Sequence, residues 1–428
     1  MALVALGVML ALVGEGQRPL VVMCPGAGEA AAVALVARTP EGELSAREAG
    51  ATALLGELLT LRMSRALASE AALLARALPA QRGIEVGFEP DYLAVTVAVV
   101  RKALPEAVDF LRRWAVETPL DAADFDEARE RVLKRRDTWA AGVVEHTAEL
   151  MVQVLSGGRY GWPLYGTPES LRALGVERIA ELWRKMLAAG NVCVSLEGAG
   201  ETPDERLTEA MAALTGALPQ GEQAEASPQL SRRPRGGAKV EDNPNVGRAS
   251  LVVGFAVEPY GRRGYWAARV LREMLAGPSG ALMRDRPLAA KLGLILPDRP
   301  TWRDWPLQVL GIEVSGHPYL AIHAVTDPAA VHVAAEGIVG HVRAVAEGKI
   351  TGAELDRARR RAVNQWARET ARVTDRAVLR GVAALLGEEL PDPKQVATLL
   401  ASLRKSELQA AAQDMLKAVA MGVQMPRD

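Results

Sequence analysis

The sequence predicts an α+β protein made of two homologous halves, each a mixed or antiparallel sheet with helices packed on one face. Three observations carry that expectation. The segments Asp91 to Val99 and Pro318 to Val325 share one β-branched pattern, with Tyr92-Leu93-Ala94 in the first and Tyr319-Leu320-Ala321 in the second, about 230 residues apart, as in a tandem duplication. Each is followed by apolar residues at helical spacing: Leu104, Ala107, Val108, Leu111, Trp114 and Ala115 in one, Val331, Ala334, Ala335, Ile338, Val339, Val342 and Val345 in the other. In the next segment Ala123, Asp126, Ala128, Arg129 and Arg131 recur as Ala353, Asp356, Ala358, Arg359 and Arg361. Strands and helices come in runs and do not alternate strictly, which favours α+β layers over a doubly wound sheet.

Taken in chain order, the first feature is the apolar run from Ala2 to Val13, long enough for the core of an export signal but without a basic start. The favoured reading makes Val8 to Val13 and Leu20 to Met23 a hairpin joined through Gly14 to Arg18, with the chain cytoplasmic in preference to exported. Gly83 to Val100 reads as a further hairpin. Pro219 to Gly247 is rich in Pro, Gly, Ser and charge and reads as a linker, its basic cluster Ser231 to Gly237 included. The expected organisation is therefore an N-terminal α+β domain over 1–218, a linker over 219–247 and a homologous C-terminal α+β domain over 248–428.

With 428 residues, 49% of them hydrophobic and 24% charged, the composition excludes collagen-like, disordered and coiled-coil proteins. The net charge of -1 lacks the Lys/Arg surplus on which phosphate binding depends, so no nucleic-acid partner is expected. No run reaches the ~20 apolar residues that span a bilayer, so no transmembrane anchor is expected. Cys24 and Cys193 lie in strand-like surroundings and read as buried free thiols.

The histidines are few: 146, 317, 323, 332 and 341. His317 and His323 lie about 20 Å apart along a strand, and His332 and His341 point to opposite flanks of a helix. His146 and Glu149, three apart on a helix, would need a further ligand from elsewhere, and a solvated helix face is the expectation for them. The sequence has no GxSxG elbow, Walker loop or dinucleotide fingerprint. The pair Glu145 and Glu149 reads as surface charge.

The segment Tyr160-Gly161-Trp162-Pro163-Leu164-Tyr165-Gly166-Thr167-Pro168-Glu169-Ser170-Leu171 is a Gly/Pro loop entering a helix, with Thr167 as N-cap and Pro168 at its first position. It resembles the "YG.P..GT.ESI" segment of the pitrilysin/insulinase peptidases. Ile179 to Leu187, the strand Asn191 to Leu196, the hairpin Gly83 to Val100 and the turn Gly277 to Arg284 are similar to that family at corresponding places, so the resemblance covers nearly the whole chain. Active members carry HxxEH on a helix, with two His ligands and a Glu base, and a distant Glu as third zinc ligand.

In the matching helix, which starts at Ala49-Gly50, the resemblance places Ala53, Gly56 and Glu57 where His, Glu and His would stand, and Arg135 at the distal Glu. It therefore implies no catalytic residue, no metal and no cofactor. In inactive subunits of the family an Arg and a Tyr of the second half reach toward substrate; here Leu292 and Leu296 take those positions, leaving the neighbouring cations Arg284, Arg286 and Lys291 as candidate peptide contacts.

The implied function is that of a non-catalytic subunit forming half of a clamshell. It would pair with a zinc-bearing homologue, as in mitochondrial processing peptidase, or with itself, and enclose peptides or unfolded segments. The alternative is a structural or assembly protein, by analogy with the core subunits of mitochondrial ubiquinol-cytochrome c reductase.

Overall fold

A computed structural model describes residues 19–427 except 27, 41–43, 69, 71, 72, 74, 79–82, 90, 118, 119, 121, 157–162, 203, 222–235, 277–279, 286, 289–306 and 311–316. The first half of the chain supplies strands β1 Leu20–Cys24, β2 Ala30–Arg38, β3 Ile84–Phe88, β4 Tyr92–Val100 and β5 Val192–Glu197. Its helices are α1 Ala51–Leu67, α2 Leu104–Leu111, α3 Ala122–Ala141, α4 Val143–Leu155, α5 Pro168–Ala173, α6 Val176–Met186 and α7 Glu205–Ala217. The second half supplies β6 Gly237–Asn243, β7 Ala249–Ala256, β8 Leu307–Leu310, β9 Tyr319–Thr326 and β10 Val419–Pro426. With them come α8 Arg263–Ala276, α9 Ala281–Arg284, α10 Val331–Ala346, α11 Gly352–Glu369, α12 Val373–Leu385, α13 Pro393–Ser402 and α14 Lys405–Leu416.

Two five-stranded sheets result, ordered β1-β5-β2-β4-β3 and β6-β10-β7-β9-β8. In both, the first pair is parallel and the other pairings are antiparallel. The central strand β2 is apolar from Ala30 to Ala37, and Ala31 to Ala37 are all fully buried. A strand with apolar side chains on both faces must be covered on both. Val33, Leu35, Val95 and Val97 meet Leu54, Leu58, Val108 and Leu111 in the main core of the first sheet, which is the expected helical layer.

The other face of each sheet is covered by one helix drawn from the opposite half of the chain. α12 lies on β2, β5 and β4, and α4 lies on β10, β7 and β6. The chain accordingly divides into one unit of Met1–Arg136, Pro163–Ser227 and Glu369–Leu390, and another of Asp137–Trp162, Pro228–Arg368 and Pro391–Asp428. Contiguous domains over 1–218 and 248–428 are corrected by this exchange, which no local pattern announces. The linker expected over 219–247 is corrected as well, because Gly237–Asn243 forms β6, bonded in parallel to β10. As an edge strand with a mostly exposed or half-exposed surface, β6 has the polar composition of a linker. Leu20–Cys24 pairs in parallel with β5; Val8 to Val13, the expected hairpin partner, and the apolar run 2–13 lie outside the described residues. Among the described residues no helix is long and apolar enough to cross a membrane.

The docking of α4 depends on two glycines. A Cβ on Gly422 would lie 2.1 Å from the Thr147 carbonyl oxygen, and one on Gly254 would lie 2.1 Å from Met151 Sδ. Next to them a polar chain crosses the interface: Thr147 Oγ1 and Ser250 Oγ are 2.8 Å apart, and Ser250 Oγ is 3.0 Å from His323 Nε2. All three side chains are buried. On the first sheet, Gly381 of α12 plays the part of the glycines, since a Cβ there would sit 2.6 Å from Val36 Cγ2. The Glu197 carboxylate of β5 receives Arg376 Nε at 3.3 Å and Arg380 Nε at 2.5 Å.

Gly422→Ala must lift α4 from its sheet and is expected to cost about 1–3 kcal/mol in urea unfolding. Gly340→Ala, in α10 with nothing within 4 Å, should instead stabilise by about 0.5–1 kcal/mol. A neutral Gly422→Ala would contradict the close approach. Burial holds His323 down to about 4, against 6.5 for the free side chain. As pH falls below 6.5 the unfolded chain takes up this proton first, so stability is intact above pH 6.5 and is lost toward pH 4. Between pH 7 and pH 5 the wild type should lose about 2 kcal/mol that His323→Gln does not lose, measured as the difference in urea-unfolding free energy.

Candidate functional site

The start of α1 is set by a backbone crossing. Gly50, its N-cap, has φ +84°, and Gly166 has φ +66°. A Cβ on Gly166 would lie 2.4 Å from the Ala49 carbonyl oxygen, so both positions need glycine for conformation and for space. Ser170 Oγ donates to that same oxygen at 2.8 Å, and Arg136 Nε donates to the Gly166 carbonyl at 3.2 Å. Thr167 caps α5 by accepting the Ser170 N–H at 3.1 Å. The Gly-Thr-Pro-Glu-Ser segment thus caps its own helix and also fixes where α1 begins.

Along α1, Ala53 is fully buried and offers only a methyl group. Gly56 faces β3, where a Cβ would stand 2.6 Å from Phe88 Cδ1. The Phe88 ring meets Tyr165 edge to face, with centroids 6.0 Å apart, so aromatic carbon fills the space beside Gly56. Glu57 is 2% exposed. Its Oε1 lies 3.4 Å from Arg131 Nη1 and its Oε2 lies 3.1 Å from Arg135 Nη2, both from α3. Arg131 also reaches Glu127 at 2.7 Å.

This cluster brings together Glu57 and Arg135, two of the four positions singled out in the sequence, with Ala53 and Gly56 on the same helix. Arg131 went unnamed there as a site residue, although its place one turn before Arg135 puts both on one helical face. The chemistry of the group is plain. One buried carboxylate faces two guanidiniums, so the charge a divalent cation would supply is already present. Among the described residues no group of three or more His, Cys, Asp or Glu gathers here to hold a metal ion. A similar pin joins α8 and α11: Arg361, the counterpart of Arg131 in the sequence repeat, donates to the Glu273 carbonyl at 3.0 Å and lies 4.0 Å from its carboxylate.

The histidines converge on no metal site, and no group of three or more His, Cys, Asp or Glu among the described residues is arranged to hold one. His332 pairs with Glu336 at 3.3 Å on the surface, and His341 with Asp285 at 2.8 Å. The His146 ring lies between Glu149 at 3.6 Å from Nδ1 and Glu241 at 3.1 Å from Nε2, so the carboxylates face opposite nitrogens instead of sharing one ion. Cys193 is buried, and desolvation pushes its thiol up to about 12. Cys24 is half-buried; burial and then the Glu197 carboxylate raise its pKa, so it too stays a thiol. A groove of about 470 Å³ in the first unit is lined by Glu70, Arg76, Glu106, Asp109, Arg113 and Arg206, whose charges pair with one another. Arg286 and Lys291 lie outside the described residues, and for Arg284 only its place at the end of α9 is described.

No family model matches the sequence, and no curated protein matches it. Solved structures do share its fold. A protease from Helicobacter pylori is 14% identical, covers 96% of this chain and 97% of its own, and superposes with a TM-score of 0.75. A peptidase M16 inactive domain from Pseudomonas fluorescens is 15% identical over 97% of both chains, with a TM-score of 0.74. A chain of Complex III2 from Candida albicans, with Inz-5 bound, is 12% identical over 94% of this chain and 93% of its own, with a TM-score of 0.73. The chain therefore has the two-unit α+β fold of these structures along nearly all its length.

Removing both guanidiniums strands the Glu57 carboxylate in the interior. Because Arg131 and Arg135 are themselves 46% and 53% exposed, Arg131→Ala with Arg135→Ala is expected to cost only about 1–3 kcal/mol in urea unfolding. Adding Glu57→Met, which removes the buried charge, should recover about 1 kcal/mol or more. Equal stability of the double and triple variants would show that the carboxylate is solvated.

Proposed function

We propose that this chain is a catalytically inactive subunit of the pitrilysin/insulinase family, which pairs with a zinc-bearing homologue and encloses peptides or unfolded protein segments with it. The observation that carries the reading is the Glu57 ion cluster. At the positions that the resemblance assigns to two imidazoles, a general base and a distal carboxylate stand Ala53, Gly56, Glu57 and Arg135, and the last two pair with each other. A scaffold that keeps the meeting of these two helices but fills it with an ion pair and an aromatic plug retains architecture without hydrolytic chemistry. The likeness to a peptidase M16 inactive domain supports the same reading. Arg284, Arg286 and Lys291 remain the candidate contacts for peptide.

The test is metal analysis and peptidase assay of the purified chain, alone and mixed with a homologue carrying HxxEH. The expected outcome is no stoichiometric zinc and no turnover alone, with a complex and faster peptide cleavage in the mixture. Zinc at one equivalent together with cleavage by the isolated chain would overturn the reading. The likeness to a chain of Complex III2 favours a second reading, an assembly scaffold. Stable incorporation into a larger complex with peptide turnover unchanged would select it.

A further inference from the structure

We infer that α4 is a proton-operated latch on the second sheet: His146 clamps the helix to β6 while its ring carries two protons and releases that clamp when one leaves. The geometry that points to this is the ring's position between two carboxylates. Nε2 lies 3.1 Å from Glu241 Oε2 on β6, and Nδ1 lies 3.6 Å from Glu149 Oε2 one turn along α4. An imidazolium presents a proton on both nitrogens and satisfies both oxygens. A neutral ring has one N–H and one lone pair, so whichever tautomer forms turns a lone pair toward a carboxylate.

The surrounding charges leave His146 as the variable member. On β6, Lys239 Nζ lies 3.1 Å from the other Glu241 oxygen and donates to Gln153 of α4 at 2.6 Å, a contact that does not involve the ring. β6 also carries Asp242, and α4 also carries Glu145. The remaining strands under the helix, β10, β7 and β9, bear no charged side chain except when His323 is protonated. The carboxylates of Glu149 and Glu241 hold the His146 pKa above 6.5, against the burial that would lower it. A group whose folded pKa is raised contributes its full stability below pH 6.5 and loses it as pH rises through the folded value.

The other exchanged helix supplies the control within the same molecule. α12 is tied down by Arg376 and Arg380 on Glu197, a clamp of permanent cations and a buried carboxylate. Rising pH therefore loosens one exchanged helix and leaves the other fixed. Met151 and Leu155 of α4 form an apolar cluster with Val252, Ala321 and Ala420 of the strands beneath, which opening of the latch would uncover.

Hydrogen exchange of the full chain, followed by mass spectrometry and corrected for the intrinsic pH dependence of exchange, reads the latch directly. From pH 6.5 to pH 8.5 the protection of 143–155 should fall about 3- to 10-fold relative to 373–385. His146→Gln should show the lower protection at both pH values, and His146→Lys, with a permanent cation, the higher protection at both. The inference is overturned if the two helices respond alike to pH, or if His146→Gln keeps the wild-type response.

Discussion

Everything in this chain depends on covering the second face of each sheet. β2 buries every side chain from Ala31 to Ala37, and β7 buries every one from Ala249 to Phe255. Strands of this kind cannot face water on either side, because each exposed apolar side chain forfeits on the order of 1.5–3 kcal/mol of burial. The helices of each half supply one layer. The other comes from the opposite half, α12 for the first sheet and α4 for the second, so neither unit is complete within a contiguous stretch of sequence. The glycines at 254, 381 and 422 are the local expression of that constraint, for they let a helix and a sheet approach closer than a Cβ permits.

The same logic explains the site. The meeting of α1 and α3 is fixed from outside by the crossing of Gly50 and Gly166, and by Arg136 and Ser170 hydrogen bonded around it. The interior of the crossing must then be filled by something that tolerates burial. Here a carboxylate between two guanidiniums, flanked by Phe88 against Gly56, fills it. An Arg–Glu contact recurs between α8 and α11, where Arg361 donates to the Glu273 carbonyl and stands 4.0 Å from its carboxylate. In both places an arginine reaches across a helix crossing while its guanidinium stays partly in water.

Much of this was legible in the sequence, and the rest failed for identifiable reasons. The strands around Tyr92 and Tyr319 and the amphipathic helices after them carry local periodicity, so composition and spacing revealed them. Glu57 and Arg135 emerged because a motif fixed the alignment, but their contact is a tertiary fact between partners 78 positions apart. Arg131 could have been found from its spacing to Arg135. Phe88 could not, since nothing in a hairpin end says which helix it will cover. β6 was hidden by its polarity: Lys239, Glu241 and Asp242 look like a linker until β10, from the far end of the chain, supplies its hydrogen bonds. The exchange of α4 and α12 was invisible for a deeper reason. An amphipathic helix declares that it has a buried face and never declares which sheet receives it.

The two exchanged helices solve one docking problem with different chemistry, and the difference has a physical consequence. Both lie on a five-stranded sheet of the same order, and both approach through glycine. α12 uses arginines, whose charge is constant, around a carboxylate that is 4% exposed. α4 uses a histidine at the rim and stands over another, His323, inside. The rim histidine favours docking when charged and the inner one when neutral, so their demands oppose each other. The second unit is thereby held best near pH 6.5, since below it the inner histidine draws a proton to the unfolded chain and above it the rim clamp weakens. A sequence that repeats one architecture has in this way given its halves unequal sensitivity to protons, at positions where the scaffold required only that a helix be held down.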